Sequence, residues 1–186
     1  MKKAKKKDVQ SIGAEADSLL GEREHATATT EFEWSIMRFF VAFERSCLQL
    51  ASVSGSGDLT FQELVLLNVV AMQRHPQTAA SLARQLNRDD IANLQYSLRK
   101  LEKEQLIVKN KEPRGKTYTY DITVDGMKRV EHYAHVRRKL LTSKVDFIEG
   151  VDAKMETAGK LISVLTGIYD DVARASATYT PTDPPE

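Results

Sequence analysis

Asn93, Gln95, Tyr96 and Arg99 stand close together in the stretch NRDDIANLQYSLRKLEKEQLI, residues 87–107. Asparagine and glutamine carry a donor and an acceptor that match adenine in a major groove, arginine forks onto guanine, and an exposed tyrosine adds a flat amphipathic ring. Such groups read a surface only if one element holds them together and aims them outward. In the same stretch Ile91, Leu94, Leu98 and Leu101 recur at helical spacing, which predicts a helix whose apolar seam packs inward and leaves the polar set free. Asp89 or Asp90 opens it. A carboxylate there suits the positive end of the helix but repels phosphate, so at least one of the two is expected to cap or to turn sideways. Lys100 and Lys103 read as solvent-facing charges.

The neighbouring segments supply the scaffold. TAASLARQL, from Thr78, predicts a short helix packing through Ala80, Leu82, Ala83 and Leu86, with a tight link at Asn87 and Arg88. Upstream, Thr60 to Glu63 is a capping box that opens an almost wholly apolar helix to about Met72, and Pro76 stops it. Downstream, LIVKN and KTYTYDIT are β-branched and aromatic runs joined by KEPRG, which predicts a hairpin turning at Pro113 and Gly115, with Tyr118 and Tyr120 as sheet packing. A second capping pattern, Thr30 to Glu33, marks the start of a first helix. That helix is apolar on two faces, Phe32, Ile36, Phe39, Phe40, Phe43, Cys47 and Leu50 on one and Trp34, Met37, Val41 and Leu48 on the other, more than one small lobe needs. Thr123, Asp125 and Gly126 begin a long helical region broken at Gly150, after which Met155, Ala158, Ile162, Leu165, Tyr169 and Val172 form a further stripe. With so little lobe left to cover, the first and last helices are expected to meet a second copy of the chain.

Composition agrees with an ordinary globular protein: 186 residues, 41% hydrophobic and 28% charged. No run nears the roughly 18 apolar residues of a membrane span, and the lysine-rich start lacks the apolar core of a secretion signal, so a cytoplasmic protein without membrane contact is expected. The net charge of +1 conceals a segregation. Residues 1–7 carry +5, residues 8–73 carry −7, residues 74–120 carry +5 and residues 121–186 carry −2. A locally basic module inside a neutral chain points mildly toward phosphate backbones. Residues 1–29 and 176–186 read as disordered tails, the first of them basic.

Helix, helix, helix, hairpin is the order of a winged helix-turn-helix. In that order the chain resembles the MarR family of bacterial transcription regulators over about residues 30–175. TAASLARQL is similar to the family's T-x-x-E-L-A-x-x-L support helix with Ser81 in place of Glu, LRKLEKEQLI to its L-x-x-L-x-x-x-G-L-V with Gln105 in place of Gly, and YDITVDG to its L-T-x-x-G. The resemblance implies a mainly α fold with a small β-hairpin wing: a DNA-binding lobe over about 58–123 and dimerisation helices over about 30–53 and 124–175. It implies a homodimer on double-stranded DNA with a palindromic operator, acting as a repressor, with Thr78, Ser81, Asn93, Gln95, Tyr96 and Arg99 on the duplex and Arg114 and Lys116 reaching from the wing. The wing tip, Glu112 to Lys116, lacks the family's Asp before its Arg. An effector is also implied, a small aromatic or lipophilic anion with Trp34, Arg38, Met72 and His132 as candidate lining. The rival expectation is a winged-helix protein-interaction module without specific DNA binding, for which the missing wing Asp and the Asp89–Asp90 pair leave room.

Other chemistry finds little support. His132 and His135 are three residues apart on one helix beside Glu131, but no third ligand has a clear spacing, so no metal or cofactor is expected. Cys47, on an apolar helix face, reads as inert packing. Neither a nucleophile-and-base motif nor a paired-carboxylate pattern stands out, and no catalytic residue is assigned.

Overall fold

The computed structural model describes residues 7–111 and 117–180, with side chains from residue 26 onward. The chain divides into two compact units, Met1–Val136 and Arg137–Glu186.

In the first unit a long helix, α1 (Lys7–Val53), is followed by α2 (Phe61–Ala71), the two-residue strand β1 (Gln77–Thr78), α3 (Ala79–Gln85), α4 (Ile91–Lys103), β2 (Ile107–Lys111), β3 (Tyr118–Ile122) and α5 (Val124–Arg137). The three strands form an antiparallel sheet in the order β1-β3-β2, with Gln77 opposite Tyr120 and Ile107 opposite Ile122. The two strands of the expected hairpin are therefore paired, its turn at Pro113 and Gly115 lying outside the described residues, and Thr78, expected to begin a helix, instead belongs with Gln77 to an edge strand. Leu66, Leu67 and Val70 of α2, Leu82 and Ala83 of α3, Leu94, Leu98 and Leu101 of α4, and Leu106, Ile107 and Tyr120 of the sheet make one buried core. Cys47, Leu50 and Ala51 of α1, Leu64 of α2 and Tyr133 of α5 make a second, smaller one.

Two capping patterns of the same type behave differently. At Thr60 the backbone N–H donates to Glu63 Oε2 at 2.8 Å and the hydroxyl accepts from the Glu63 N–H at 3.4 Å, a complete box. At Thr30 the hydroxyl donates to the Ala26 carbonyl at 2.9 Å, inside a helix already under way. The expected start at Thr30, and disorder across residues 7–29, give way to a helix that begins at Lys7. Glycine and serine precede Thr60 and cannot easily be helical, whereas Ala, Glu, Arg and Leu precede Thr30 and can. Two packing positions also move: Ala79 rather than Ala80 touches the core, and Ile91 is exposed while Ser97 is buried, because the first turn of α4 overhangs the core.

Three helices of this unit end in the same motif. The N–H groups of Ser56, Arg88 and Leu106 reach back five residues to the carbonyls of Ala51, Ala83 and Leu101 at 2.8, 2.9 and 3.0 Å. The residue before each donor is left-handed: Gly55 at φ +79°, Asn87 at +49° and Gln105 at +58°. This is the Schellman ending, which prefers Gly and tolerates Asn. Gln105 carries a Cβ into a region that costs about 1–2 kcal/mol for an ordinary residue. Gln105→Gly removes that cost but gives the unfolded chain more freedom, so a net gain of about 0.5–1 kcal/mol is expected. Urea unfolding measures it, and a Gln105→Gly protein no more stable than the parent contradicts the strain.

The start of α5 is pinned against the end of α4. Thr123 N–H donates to the Leu106 carbonyl at 3.1 Å, the Thr123 hydroxyl lies 2.7 and 3.0 Å from the carbonyls of Gln105 and Leu106, and the same oxygen accepts from Gly126 N–H at 3.0 Å. This is what the threonine and glycine of YDITVDG do.

The second unit holds a π-helical turn (Arg138–Thr142), α6 (Ser143–Val145) and α7 (Val151–Ser176). Gly150, left-handed at φ +63°, sits at the N-terminus of α7, the interruption expected there. Of α7 no residue is buried in the single chain. Met155, Leu161, Ile162, Val164, Ile168, Tyr169 and Val172 are all exposed, as are Trp34, Met37, Phe39, Phe40 and Val41 of α1. No helix among the described residues is long and apolar enough to cross a membrane.

Candidate nucleic-acid interface

α4 is fixed through one face. Leu94, Leu98 and Leu101 are fully buried, and each such leucine contributes about 1.5–3 kcal/mol. The opposite face carries Asn93, Gln95, Tyr96 and Arg99, all exposed, with Tyr96 64% exposed. The structure therefore brings these four together on one helix surface.

At the front of α4, Asp90 occupies the cap position without a capping bond from its side chain. Its carboxylate turns sideways onto Arg88, which donates from Nε at 2.7 Å and from Nη2 at 2.5 Å, and Asn93 Nδ2 donates to the same carboxylate at 3.3 Å. The Arg88 bond, helped by Asn93, holds the Asp90 carboxyl at about 2. Asp90 thus stays ionised and neutralises Arg88, and it fixes the amide of Asn93. Asp89 is exposed beside it.

Lys100, read as a solvent-facing charge, is a tether instead. Its Nζ lies 2.7 Å from Glu63 Oε2 and 3.2 Å from the Asp58 carbonyl, joining α4 to the capping box of α2. Burial pushes the Glu63 carboxyl up, but the bonds from Lys100 and from the Thr60 N–H and hydroxyl outweigh it and set it below the ordinary carboxylate range. The bond to Glu63 raises Lys100 in turn. Stability from the pair is fully present between the ordinary carboxylate and lysine ranges. It is lost as pH falls through the lowered Glu63 value or rises through the raised Lys100 value.

On α3 the two expected phosphate donors have internal roles. The Thr78 hydroxyl oxygen caps the helix by accepting from Ser81 N–H at 3.1 Å, which leaves its proton free to donate. The Ser81 hydroxyl donates to Gln77 Oε1 at 2.7 Å, so in the free protein its proton is committed. On the sheet, Tyr120 is buried as expected, while Tyr118 is exposed with Lys109 Nζ 4.1 Å from its ring centre, a cation–π contact. Arg114 and Lys116 fall in residues 112–116, outside the described residues, while the strands that carry them are in place.

Trp34 and Arg38 lie one turn apart on α1, Met72 follows the last turn of α2 and His132 lies on α5; all four are exposed. His132 and His135 are both exposed, and among the described residues no group of three or more His, Cys, Asp or Glu side chains is placed to hold a metal ion. Sequence reasoning missed the Arg88–Asp90 and Glu63–Lys100 pairs. The second joins residues 37 positions apart, which no local pattern can signal.

Residues 59–126 match a family model described as a winged helix DNA-binding domain. The chain is similar in structure to the MepR–DNA complex of Staphylococcus aureus, at 18% identity, covering 74% of this chain and 97% of that one with a TM-score of 0.60. It is also similar to a MarR family transcriptional regulator from Listeria monocytogenes in complex with a 26mer DNA, at 15% identity, covering 79% and 97% with a TM-score of 0.59. None of the curated proteins matches the chain. Residues 59–126 thus have the fold of a winged helix domain, and the chain shares its fold with MarR-family regulators.

Proposed function

We propose that the protein is a cytoplasmic, homodimeric transcriptional repressor that reads a palindromic operator, with α4 of each copy in the major groove. The observation that carries this reading is the exposed set Gln95, Tyr96 and Arg99 on a helix whose other face is locked into the core. Two such helices related by a twofold axis read half-sites about one helical turn, roughly 10 base pairs, apart. Asn93, Thr78 and Ser81 support the contact from the flanks, and Arg114 and Lys116 belong to the wing's part of it. Both relatives named above are, by their descriptions, complexes with DNA.

The exposed apolar side chains of α1 and of α7 support pairing with a second copy, since a monomer would leave them in water. Release by a small aromatic or lipophilic anion belongs to the same reading, with Trp34, Arg38, Met72 and His132 as its candidates. The rival, a protein-interaction module, draws on the exposed Asp89 at the front of α4.

Selection of duplexes from a randomised pool by the full chain separates the two, since a module without specific DNA binding enriches nothing. On an enriched duplex, Gln95→Ala is expected to relax preference at one base pair at a cost of about 1–3 kcal/mol. Unaltered discrimination at every position would remove Gln95 from the reading face.

A further inference from the structure

Lys100 has a second connection that reaches beyond its own helix. The loop residue Asp58, whose carbonyl accepts from Lys100 Nζ at 3.2 Å, has its carboxylate held by Arg129 of α5 at 2.9 and 3.2 Å. Glu63, the other partner of Lys100, is buried and is itself fixed by Thr60. The chain of contacts Arg129, Asp58, Lys100, Glu63 therefore ties α5, the loop before α2, α4 and α2 to one another.

The leucine seam alone does not determine the roll of α4. Leu94, Leu98 and Leu101 fix which side faces inward, but apolar contact is non-directional and leaves small rotations cheap. A charge-assisted hydrogen bond is directional and short. Lys100 lies one residue after Arg99 and four after Tyr96, so its anchoring sets where those two side chains point.

We infer that Lys100 is a positioning residue: through Glu63, and through Asp58 held by Arg129, it fixes the roll of α4 and so sets the selectivity of Tyr96 and Arg99 without touching the duplex. This rests on the DNA-reading role proposed above. A rotation of a few degrees misaligns contacts to base edges, whereas phosphate contacts tolerate it. Loss of the tether therefore lowers the ratio of specific to non-specific affinity, leaving the salt dependence as it was.

The test uses the full chain, a duplex it has enriched from a randomised pool, and a scrambled duplex of the same length, titrated at several salt concentrations. Lys100→Met and Glu63→Gln are expected to lower the specific-to-scrambled ratio about tenfold with an unchanged salt slope, and Lys100→Arg to keep the ratio. A purely structural defect reduces the active fraction equally on both duplexes and leaves the ratio intact, which counts against the inference. If Lys100 is a phosphate contact, Lys100→Met weakens both duplexes alike and reduces the slope by about 0.9, which overturns it. Should Lys100→Met and Glu63→Gln fail to fold, Arg129→Met decides: its ion pair with Asp58 is solvent-accessible, and pairs of that kind add little to stability, so about a threefold loss of ratio supports the tether while an undiminished ratio overturns it. A parent protein that enriches no duplex removes the DNA-reading role itself, and this inference with it.

Discussion

Gly126→Ala is expected to cost about 3 kcal/mol or more, enough to remove a large part of a typical domain's stability. A Cβ at Gly126 would lie 2.0 Å from the Leu106 carbonyl oxygen and 2.7 Å from Ile122 Cδ1. The first of these is backbone, in a carbonyl that already accepts from Thr123 N–H and lies within reach of the Thr123 hydroxyl. It cannot retreat alone. Moving it drags Leu106 and Ile107, both in the main core, and breaks the cap that starts α5. Overpacking a well-packed site costs about 1–3 kcal/mol where side chains can adjust, and more where backbone must move. Asp125→Ala, next door and exposed, loses only a surface pair with Lys128 and should stay within about 0.5 kcal/mol of the parent. Urea unfolding of both variants is the measurement. A Gly126→Ala protein within 1 kcal/mol of the parent would show that α5 can shift away from Leu106 freely.

The contrast between Gly126 and Gln105 shows what a sequence pattern does and does not reveal. The glycine of YDITVDG was readable through the L-T-x-x-G motif it resembles, although what excludes a Cβ there is the Leu106 carbonyl, twenty positions earlier. Gln105 occupies the left-handed end of α4 where glycine would sit most easily, and nothing in a glutamine announces that geometry. Gly55 and Asn87, at the equivalent ends of α1 and α3, are residue types that do announce it. Strand β1 escaped for another reason. Two residues have no period, and Gln77 and Thr78 become a strand only because Thr119 and Tyr120, some forty positions later, come alongside.

On the candidate interface, the split into an inner seam and an outer polar face was legible because both repeat with the helix, and the structure displays Gln95, Tyr96 and Arg99 on that outer face. The fate of individual charges was not. Asp90 at the cap of α4 and Lys100 within it are both charges of one amphipathic stretch, yet one neutralises Arg88 and the other crosses to a distant capping box. Periodicity identifies the face of a helix. It does not identify the partner across a tertiary contact, which depends on where Glu63 and Asp58 arrive after folding.

If the pairing proposed above runs through α7, Ile162→Glu is expected to leave a monomer and to weaken binding to an enriched duplex at least about a hundredfold. Ile162, Leu165, Tyr169 and Val172 recur at helical spacing along α7, and none is buried in the single chain. If they pair with a second copy, a twofold axis places each substitution in the interface twice, and a carboxylate confined there without a partner costs several kcal/mol on each occurrence. Because α7 buries nothing within its own chain, the substitution should leave the helical content and the lobe's unfolding midpoint unchanged, which separates loss of assembly from loss of fold. Losing the second copy removes the second half-site, and two half-sites joined through one dimer gain about 10²–10⁴ in effective affinity over one. Ala153→Glu, exposed on the same helix and on the side away from the stripe, is the matched control for one added negative charge. Sedimentation of both variants reads the assembly, and duplex titration reads the affinity. An Ile162→Glu protein that sediments as the parent does would place the contact between copies elsewhere, and one that is monomeric yet binds undiminished would mean that a single lobe supplies all of the affinity.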